Sequence, residues 1–163
     1  MILEYCFTHP NVIPPTRANP SDAGLDIFFS PLTIDTEVTL GAGESTTLKT
    51  GLRFGIPHGY MLQVMNRGSV ASLRQLLVGA CVVDSGYDGE VFINLHNVGT
   101  EAQVIKHGDK IAQAVLIPVV HFRAYCRHDG ELYDYPITIS DRGEGALGST
   151  DDPVSLKHVF DPQ

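Results

Sequence analysis

Period-two alternation of apolar and polar residues limits the folds open to this chain more than any other feature. In residues 91–96, Val91, Ile93 and Leu95 fall on one face, as in a strand that buries only that face. The same period predicts a second apolar strand face, made of Leu48, Leu52, Phe54 and Ile56. Alternation of this kind favours half-buried β-strands over helices.

Frequent glycines and prolines divide the chain into short segments. Two more strands are predicted at residues 60–65 and 111–125, and Pro118 inside the second implies an edge, a bulge or a bend. Many short strands separated by turns are typical of an antiparallel barrel or a jelly roll. The sequence therefore predicts an all-β, jelly-roll-like β-barrel.

One short helix is predicted from about Val70 to Leu76. Ser69 is a favourable N-cap, and Gly68 gives the backbone freedom to turn into the helix. Free backbone N–H groups at this start, with Arg67 beside them, are suited to bind phosphate. An ordinary capped helix with a surface arginine explains the same residues, so both interpretations remain open.

The chain is expected to consist of one domain and a C-terminal arm. After Ser140 the sequence becomes polar and rich in glycine, and prolines and aspartates follow. Such composition is typical of mobile terminal segments. We expect a β-barrel domain over residues 1–140 and a flexible arm over residues 141–163.

Length and charge exclude several functional classes. The 163 residues suffice for one domain with a sizeable core. The net charge of −8 argues against a broad basic face for nucleic acid, although a nucleotide needs only a few local donors. No apolar run approaches the roughly 20 residues that span a bilayer, and the N-terminus lacks the features of a signal peptide. We expect a cytoplasmic protein that binds neither nucleic acid nor membrane directly.

Cysteine and histidine usage points the same way. Cys6, Cys81 and Cys126 are odd in number and far apart, which indicates a reducing compartment rather than a disulfide framework. The histidines are scattered singly and show no metal-ligand spacing. A zinc site is therefore not expected.

Residues 79–90 form the most informative local pattern. An apolar run leads directly into Asp84, and a Ser85-Gly86 turn and Tyr87 follow. A carboxylate at the end of a strand beside a tight turn is held rigidly, as a general base must be. Aspartate also caps hairpin turns without any catalytic role. This segment alone leaves both interpretations open.

Four other segments accompany residues 79–90. In chain order they are Ala-Asn-Pro-Ser-Asp-Ala-Gly-Leu-Asp-Ile at 18–27, Asn-Arg-Gly-Ser-Val-Ala-Ser at 66–72, Gly-Asp-Lys-Ile-Ala-Gln at 108–113 and Arg-Gly-Glu-Gly-Ala-Leu-Gly-Ser-Thr at 142–150. Together the five segments resemble the ordered motifs of the trimeric dUTPases, the dUTP diphosphatases. The resemblance runs from about Ala18 to Thr150, and five motifs in the family's order are far more specific than one.

The resemblance implies an activity and a cofactor. The reaction would be hydrolysis of dUTP to dUMP and diphosphate, which keeps uracil out of DNA. Asp84 would be the general base for a water that attacks the α-phosphorus, and Gln113 would help to position that water. Mg²⁺ would be the cofactor, and Asp26 would hold water molecules around the ion.

The resemblance also implies an assembly, namely a homotrimer with active sites shared between subunits. The first, second and fourth motifs would come from one subunit, the third from another and the fifth from the last. Tyr87 would pack against the deoxyribose, the Cys81–Val83 backbone would pair with uracil, and Arg142 would contact the γ-phosphate. The full set of implied substrate-binding residues is Arg67, Gly68, Ser69, Cys81, Val82, Val83, Tyr87, Arg142, Leu147, Gly148 and Ser149.

The chain departs from the family pattern at several places, one of which is Ala146 where the family usually has glycine. The usual Arg-Ser-Gly order of the second motif is Arg67-Gly68-Ser69 here, which displaces the hydroxyl by one position. Leu147 stands where the family has a phenylalanine that stacks on uracil, and a leucine covers the base without stacking. The segment 114–141 is longer than usual, and its Asp129-Gly130 turn indicates an added hairpin.

Two alternative functions remain. The dCTP deaminases share this fold, but Asn94 and Ser72 occupy the positions of their catalytic glutamate and arginine. A weakly catalytic regulatory or binding protein on the same scaffold is compatible with the departures above. Retention of the acidic, arginine, tyrosine and glutamine residues of the motifs favours the diphosphatase.

Overall fold

The computed structural model describes residues 1–128. Within them the chain forms eleven strands and one short helix. In chain order they are β1 (Glu4–Phe7), β2 (Leu25–Phe28), β3 (Glu37–Leu40), β4 (Ser45–Lys49), β5 (Leu52–Gly55), β6 (Tyr60–Met65), α1 (Gly68–Arg74), β7 (Leu76–Val78), β8 (Val82–Asp84), β9 (Phe92–Asn97), β10 (Gln103–Lys106) and β11 (Lys110–Pro118). A compact unit covers Met1–Phe122.

Every pair of these strands is antiparallel. A four-stranded sheet has the order β2–β11–β6–β8, and a three-stranded sheet has the order β4–β9–β7. Two further pairs, β1–β5 and β10–β3, complete the described part. This arrangement confirms the predicted all-β, jelly-roll-like fold with one short helix.

The predicted apolar face of residues 91–96 lies in the centre of the core. β9 runs between β4 and β7, and Val91, Ile93 and Leu95 are buried while the alternate positions point outward. The alternation therefore identified both the strand and its buried face correctly. Strand β6 also matches the predicted residues 60–65.

The second predicted apolar face is buried as expected but belongs to two strands. Leu48 lies in β4, and Leu52 and Phe54 lie in β5. Gly51 separates the strands with a φ of 67° and sits so close to Val12 that a side chain there would collide with it. Because this left-handed conformation suits glycine, the chain turns a corner at this point.

The predicted helix and the last predicted strand need correction. Helix α1 begins at Gly68 and ends at Arg74, with Arg67 as its N-cap residue and no side-chain cap, so Ser69 lies in the first turn. Gln75 adopts a left-handed φ of 53° that ends the helix, and Leu76 is buried as the first residue of β7. β11 ends at Pro118, and after one further hydrogen bond, from the Val119 N–H to the Gly59 carbonyl at 2.8 Å, no strand follows within the described residues, so the strand predicted to residue 125 is shorter.

Several expectations concern features beyond the strands. The three cysteines all fall within the described residues and are free thiols. No helix in residues 1–128 has the length and apolar character of a membrane span. The arm predicted at residues 141–163 and the Asp129-Gly130 hairpin lie outside the described residues.

Asn97 is a buried polar residue that holds three chain segments together. Its side chain is 1% exposed, and its Nδ2 donates to the carbonyls of Leu40 at 2.9 Å and Glu101 at 2.8 Å. Its Oδ1 accepts a hydrogen bond from the Gly99 N–H at 3.0 Å. One amide thus joins the ends of β3 and β9 to the turn that leads into β10.

We predict that Asn97→Ala lowers the free energy of unfolding by about 2–4 kcal/mol, because buried carbonyls and an N–H lose their partners. Urea denaturation measures this loss. Asn11→Ala is the matched control, since its exposed side chain donates one hydrogen bond, to the Leu32 carbonyl at 2.8 Å. That control should lose less than about 1 kcal/mol. Equal losses in the two variants would contradict the role assigned to Asn97.

Candidate active site

A polar cavity of about 380 Å³ brings together residues from three separate sequence segments. Its lining comprises Ala18, Asp22, Ala23, Gly24, Asp26, Arg67, Gly68, Ser69 and Gln113. The first, second and fourth motif segments therefore meet at one place, which we call the phosphate cavity after the ligand that the sequence resemblance implies. Asp84 and Tyr87 line a different cavity.

Asp26 lies at the base of the phosphate cavity between two cations. Its Oδ1 accepts a hydrogen bond from Arg67 Nε at 2.6 Å, and its Oδ2 lies 2.7 Å from Lys110 Nζ. The carboxylate is 13% exposed, so these ion pairs are shielded from solvent more than ordinary surface pairs. The sequence motifs assign no role in the site to Lys110, whereas the structure makes it a partner of Asp26.

The two cations together outweigh burial in setting the pKa of Asp26. Burial is the largest single influence and raises the pKa, because it disfavours the charged form. The hydrogen bonds from Lys110 and Arg67, together with their positive charges, outweigh burial and lower the pKa below its ordinary value of 3.8. Asp26 is therefore a carboxylate throughout the neutral pH range.

Arg67 is oriented by this carboxylate. Asp26 binds its Nε, and its Nη1 lies 3.4 Å from Ser69 Oγ. A guanidinium has five N–H donors, so most of the fork remains able to bind an anion in the cavity. Ser69 stands in the first turn of α1, where the displaced hydroxyl of the second motif still lines the cavity.

Gln113 presents its amide oxygen to the cavity. Its Nε2 donates to the Asn66 carbonyl at 2.8 Å. Its Oε1 faces Gly24, where a Cβ would lie only 2.5 Å from that oxygen. A side chain at position 24 would therefore displace the amide. The oxygen is placed to accept a hydrogen bond from a water molecule rather than to donate one to phosphate.

The far end of α1 is anchored by residues that sequence analysis did not identify. Arg74 Nη1 lies 3.1 Å from Asp109 Oδ2, and Arg74 Nη2 donates to the Val104 carbonyl at 2.6 Å. Arg74 Nε donates to Gln103 Oε1 at 3.3 Å. These contacts fix the helix against β10 and the turn before β11. A basic residue in a last helical turn is the only sequence signal for them.

Asp22 contributes to a turn rather than to this ion-pair group. Its Oδ2 accepts a hydrogen bond from the Asn19 N–H at 2.8 Å, and the Asp22 N–H donates to the Asn19 carbonyl at 3.0 Å. These contacts close the loop ahead of β2. Both aspartates of the first motif segment line the cavity, but Asp22 closes the loop whereas Asp26 pairs with the two cations.

A second cavity of about 260 Å³ surrounds the third motif segment. Val82, Val83, Asp84, Tyr87, Glu90, Val91 and Phe92 line it. Asp84 ends β8 and is exposed, and Gly86 with a φ of 90° turns the chain immediately afterwards. The Tyr87 N–H donates to the Asp84 carbonyl at 3.2 Å, which closes the turn. The predicted strand, acid and glycine turn are therefore all present.

Strand β8 forms the outer edge of its sheet and exposes backbone groups there. The Val64 N–H donates to the Cys81 carbonyl at 2.8 Å, so Cys81 and Val83 face β6 in the alternating ladder. The N–H and C=O of Val82 then point away from β6. Since β8 has no second neighbour within residues 1–128, these Val82 groups are open to a ligand.

Asp84 lies far from the phosphate cavity of its own chain. Asp84 pairs with Met61 of β6, whereas Gln113 pairs with Met65, two strands away from β8. At about 4.8 Å between strands and about 3.3 Å per residue, the Cα atoms of Asp84 and Gln113 are about 16 Å apart. One chain cannot place both side chains on one reacting phosphorus.

The donor set of the phosphate cavity fits a hydrated magnesium ion rather than a protein-bound one. Residues 1–128 contain no group of three His, Cys, Asp or Glu side chains that could hold a metal. Both oxygens of Asp26 already contact cations. Mg²⁺ commonly keeps several waters and takes substrate phosphates as ligands, and a single carboxylate beside its water shell is compatible with that preference.

Four residues implied by the sequence resemblance fall beyond residue 128. Arg142, Leu147, Gly148 and Ser149 lie outside the described residues. The described part therefore accounts for the first four motif segments only.

A family comparison identifies the chain. The dUTPase family model matches residues 11–150, which includes all five motif segments. The chain belongs to the dUTPase family.

Two relatives named deoxyuridine 5′-triphosphate nucleotidohydrolase illustrate the match. The protein from Anaplasma marginale is 35% identical over 142 residues, which covers 83% of this chain and 87% of the relative. The protein from Roseobacter denitrificans is 40% identical over 119 residues, covering 71% and 73%.

Solved structures of dUTPases share the fold. A mutant of the Staphylococcus bacteriophage 80alpha dUTPase with dUpNHpp has a TM-score of 0.73 and 25% identity, covering 91% of this chain and 97% of that chain. A mutant dUTPase from phage phi11 of S. aureus has a TM-score of 0.70 and 25% identity, covering 78% and 97%. That phi11 structure concerns the coordination of a structural Mg(II) ion.

Asp26 gives a prediction for the pH dependence of stability. A carboxylate whose folded-state pKa is lowered stabilises the fold fully above its unfolded-state pKa, here near 3.8. That stabilisation is lost as pH falls below this value toward the folded-state pKa. We predict that Asp26→Asn lowers the free energy of unfolding by about 2 kcal/mol at neutral pH. The difference from wild type should shrink as pH falls through this window.

Urea unfolding at a series of pH values measures the difference. Asp35→Asn is the control, since Asp35 is an exposed aspartate outside both cavities. A constant difference between wild type and Asp26→Asn down to the lowest pH would show that the two cations do not hold Asp26 ionised.

Proposed function

We propose that this protein is a dUTP diphosphatase, which hydrolyses dUTP to dUMP and diphosphate. The observation that carries the proposal is a polar cavity built from three motif segments, in which Asp26 orients the guanidinium of Arg67, in a chain of the dUTPase family. The anionic partner of such a cavity is a phosphate chain. The second cavity, with its open backbone edge and carboxylate, supplies the groups that a nucleoside and an attacking water require.

The phosphate chain of the substrate would lie in the phosphate cavity. Arg67, Gly68 and Ser69 would bind its oxygens, with Arg67 already turned toward the cavity by Asp26. Mg²⁺ would be the cofactor, and Asp26 is the carboxylate that would face its water shell. When bound, the ion offsets negative charge on the phosphate oxygens.

Asp84 would act as the general base. It would take a proton from a water whose oxygen attacks the α-phosphorus, while the bond from that phosphorus to the bridging oxygen breaks and diphosphate leaves. Gln113 would accept a hydrogen bond from the same water through Oε1. Asp84 is exposed at the end of an edge strand, so a second chain can approach it.

The edge of β8 would recognise uracil. The outward N–H and C=O of Val82 are a fixed donor and a fixed acceptor, which complement an acceptor and a donor on the base. Cytosine reverses two of these groups, so it would leave buried polar atoms unpaired. Tyr87 would pack against the deoxyribose and leave no room for a 2′-hydroxyl.

The active sites would be shared within a homotrimer. The separation between Asp84 and the phosphate cavity of the same chain supports sharing, because a complete site then needs Asp84 from a neighbour. In the proposed arrangement a further subunit supplies the arm with Arg142 and Leu147. Closed threefold symmetry makes the three sites equivalent.

The alternative deaminase function finds no support in the side chains concerned. Ser72 Oγ donates to the Gly68 carbonyl within α1 at 2.6 Å. Asn94 Nδ2 donates to the Thr46 carbonyl at 3.2 Å, and Asn94 Oδ1 lies 2.9 Å from His96 Nε2. Both residues make structural contacts and neither is an acid or an arginine.

We place the diphosphatase in the cytoplasm, because three free thiols suit a reducing compartment.

The test of function is turnover of dUTP, dCTP and dTTP with Mg²⁺. We predict that wild type releases diphosphate from dUTP and no ammonia from dCTP. Asp84→Asn should lower kcat by about two to four orders of magnitude, because it keeps the size of the side chain but removes its basicity. Nucleotide binding, measured by calorimetry, should remain detectable.

Asp88→Asn is the matched control for this experiment. Asp88 lies on the same turn but pairs with Arg53 on the surface, so its loss should leave turnover nearly unchanged. Ammonia released from dCTP would establish the deaminase instead. Retention of most activity by Asp84→Asn would make Asp84 a turn residue.

Mixing inactive variants tests the shared site. Asp84→Asn and Arg67→Ala each inactivate every site of a pure trimer. After unfolding and joint refolding in equal amounts, about a quarter of the sites would combine intact Arg67 from one chain with intact Asp84 from another. We predict recovery of about a quarter of wild-type activity. If native mass spectrometry finds mixed trimers and no activity returns, both residues act within one chain.

A further inference from the structure

Tyr87 is folded back against its own turn. Its hydroxyl donates a hydrogen bond to the Glu90 carbonyl at 2.9 Å, and the side chain remains 46% exposed toward the second cavity. The ring covers Gly89 closely. A Cβ at Gly89 would collide with the Tyr87 hydroxyl oxygen and lie 2.6 Å from Cζ and 3.0 Å from Cε2.

The exclusion of a side chain at Gly89 comes from the ring rather than from the backbone. Gly89 is absent from the glycines with positive φ in the described residues, so its backbone conformation would accept alanine. The three atoms nearest to an added Cβ all belong to Tyr87. Glycine at this position is therefore what lets the tyrosine ring lie where it does.

The carbonyl that accepts the tyrosine hydroxyl is itself fixed to the core. Glu90 Oε1 accepts a hydrogen bond from the Gly51 N–H at 2.9 Å. The Val91 N–H donates to the Leu52 carbonyl at 2.8 Å, and Thr50 Oγ1 donates to the Val91 carbonyl at 2.5 Å. Three hydrogen bonds thus attach residues 90–91 to the corner between β4 and β5.

We infer that Gly89 and Glu90 are positioning residues that set how strictly the enzyme selects deoxyribonucleotides. This inference rests on the proposed function, in which Tyr87 packs against the sugar. A ring can exclude a 2′-hydroxyl only when its position against the sugar is fixed to within about 1 Å, since a mobile ring would give way. Gly89 provides the space for the ring, and Glu90 provides the anchored hydrogen-bond acceptor.

The measurement is the ratio of kcat/KM for dUTP to kcat/KM for UTP. A ratio within one preparation does not depend on the folded fraction, so a variant that is merely less stable leaves it unchanged. Gly89→Ala should lower the ratio at least about tenfold, because the added methyl displaces the ring. Gly55→Ala is the matched control, since its Cβ would make only ordinary contacts at 3.8 and 3.9 Å with Glu4.

Glu90 gives an independent arm of the test. Glu90→Ala removes the acceptor for the Gly51 N–H and should lower the ratio in the same direction, whereas Glu90→Gln keeps an acceptor and should retain it. If UTP turnover is below detection, the ratio of the inhibition constants of UMP and dUMP measures selection of the sugar at the binding step and should change in the same direction. These substitutions also cover the case in which Gly89→Ala does not fold.

The possible outcomes distinguish a failure of this inference from a failure of the proposed function. Wild type that does not turn over dUTP overturns the proposed function. If wild type turns over dUTP but Gly89→Ala and Glu90→Ala give the same ratio as Gly55→Ala, the inference is wrong and the proposed function stands. A lower ratio in both variants, with Glu90→Gln near wild type, supports it.

Discussion

The corner at Thr50 and Gly51 is the constraint on which the rest of the described structure depends. Thr50 is fully buried, and its hydroxyl accepts the Leu52 N–H at 3.1 Å while donating to the Val91 carbonyl. The Thr8 N–H donates to the Gly51 carbonyl at 2.8 Å. The same corner therefore ends β4, begins β5, secures the residue that follows β1 and holds the chain that follows the third motif. Through Glu90 it also reaches Tyr87, so a core packing feature extends to the ligand surface.

Under the proposed function an acidic chain has to hold a triphosphate, and a local arrangement of charge is suited to that. The chain carries a net charge of −8, yet Asp26 faces both Arg67 and Lys110, so this group of three is net positive. The carboxylate keeps the two cations from repelling each other and fixes the direction of the guanidinium. Both functions need the charged form of Asp26, which its lowered pKa preserves.

The sequence predicted those features that depend on local patterns. The buried face of residues 91–96, strand β6 and the turn after Asp84 all follow from periodicity or from glycine chemistry between near neighbours. The start of α1 was misplaced because Ser69 was expected to cap the helix, whereas its hydroxyl lies beside Arg67 in the first turn. Lys110 was missed because its partner, Asp26, is distant in sequence and meets it only through the pairing of β11 with β2.

If the edge of β8 recognises uracil as proposed, side-chain chemistry alone could not have revealed the site. The residues on the open edge of β8 include Val82, whose side chain carries no polar group, and the donor and acceptor exposed there belong to the backbone. An open sheet edge normally invites unwanted strand pairing, and natural proteins keep such edges short and charged. β8 has three residues and ends in Asp84, so it meets both conditions while leaving one residue's N–H and C=O available. Because the ladder with β6 fixes their direction, selectivity for the base would be a property of the fold. Substitutions that preserve the strand would then change base recognition far less than substitutions that shift its register.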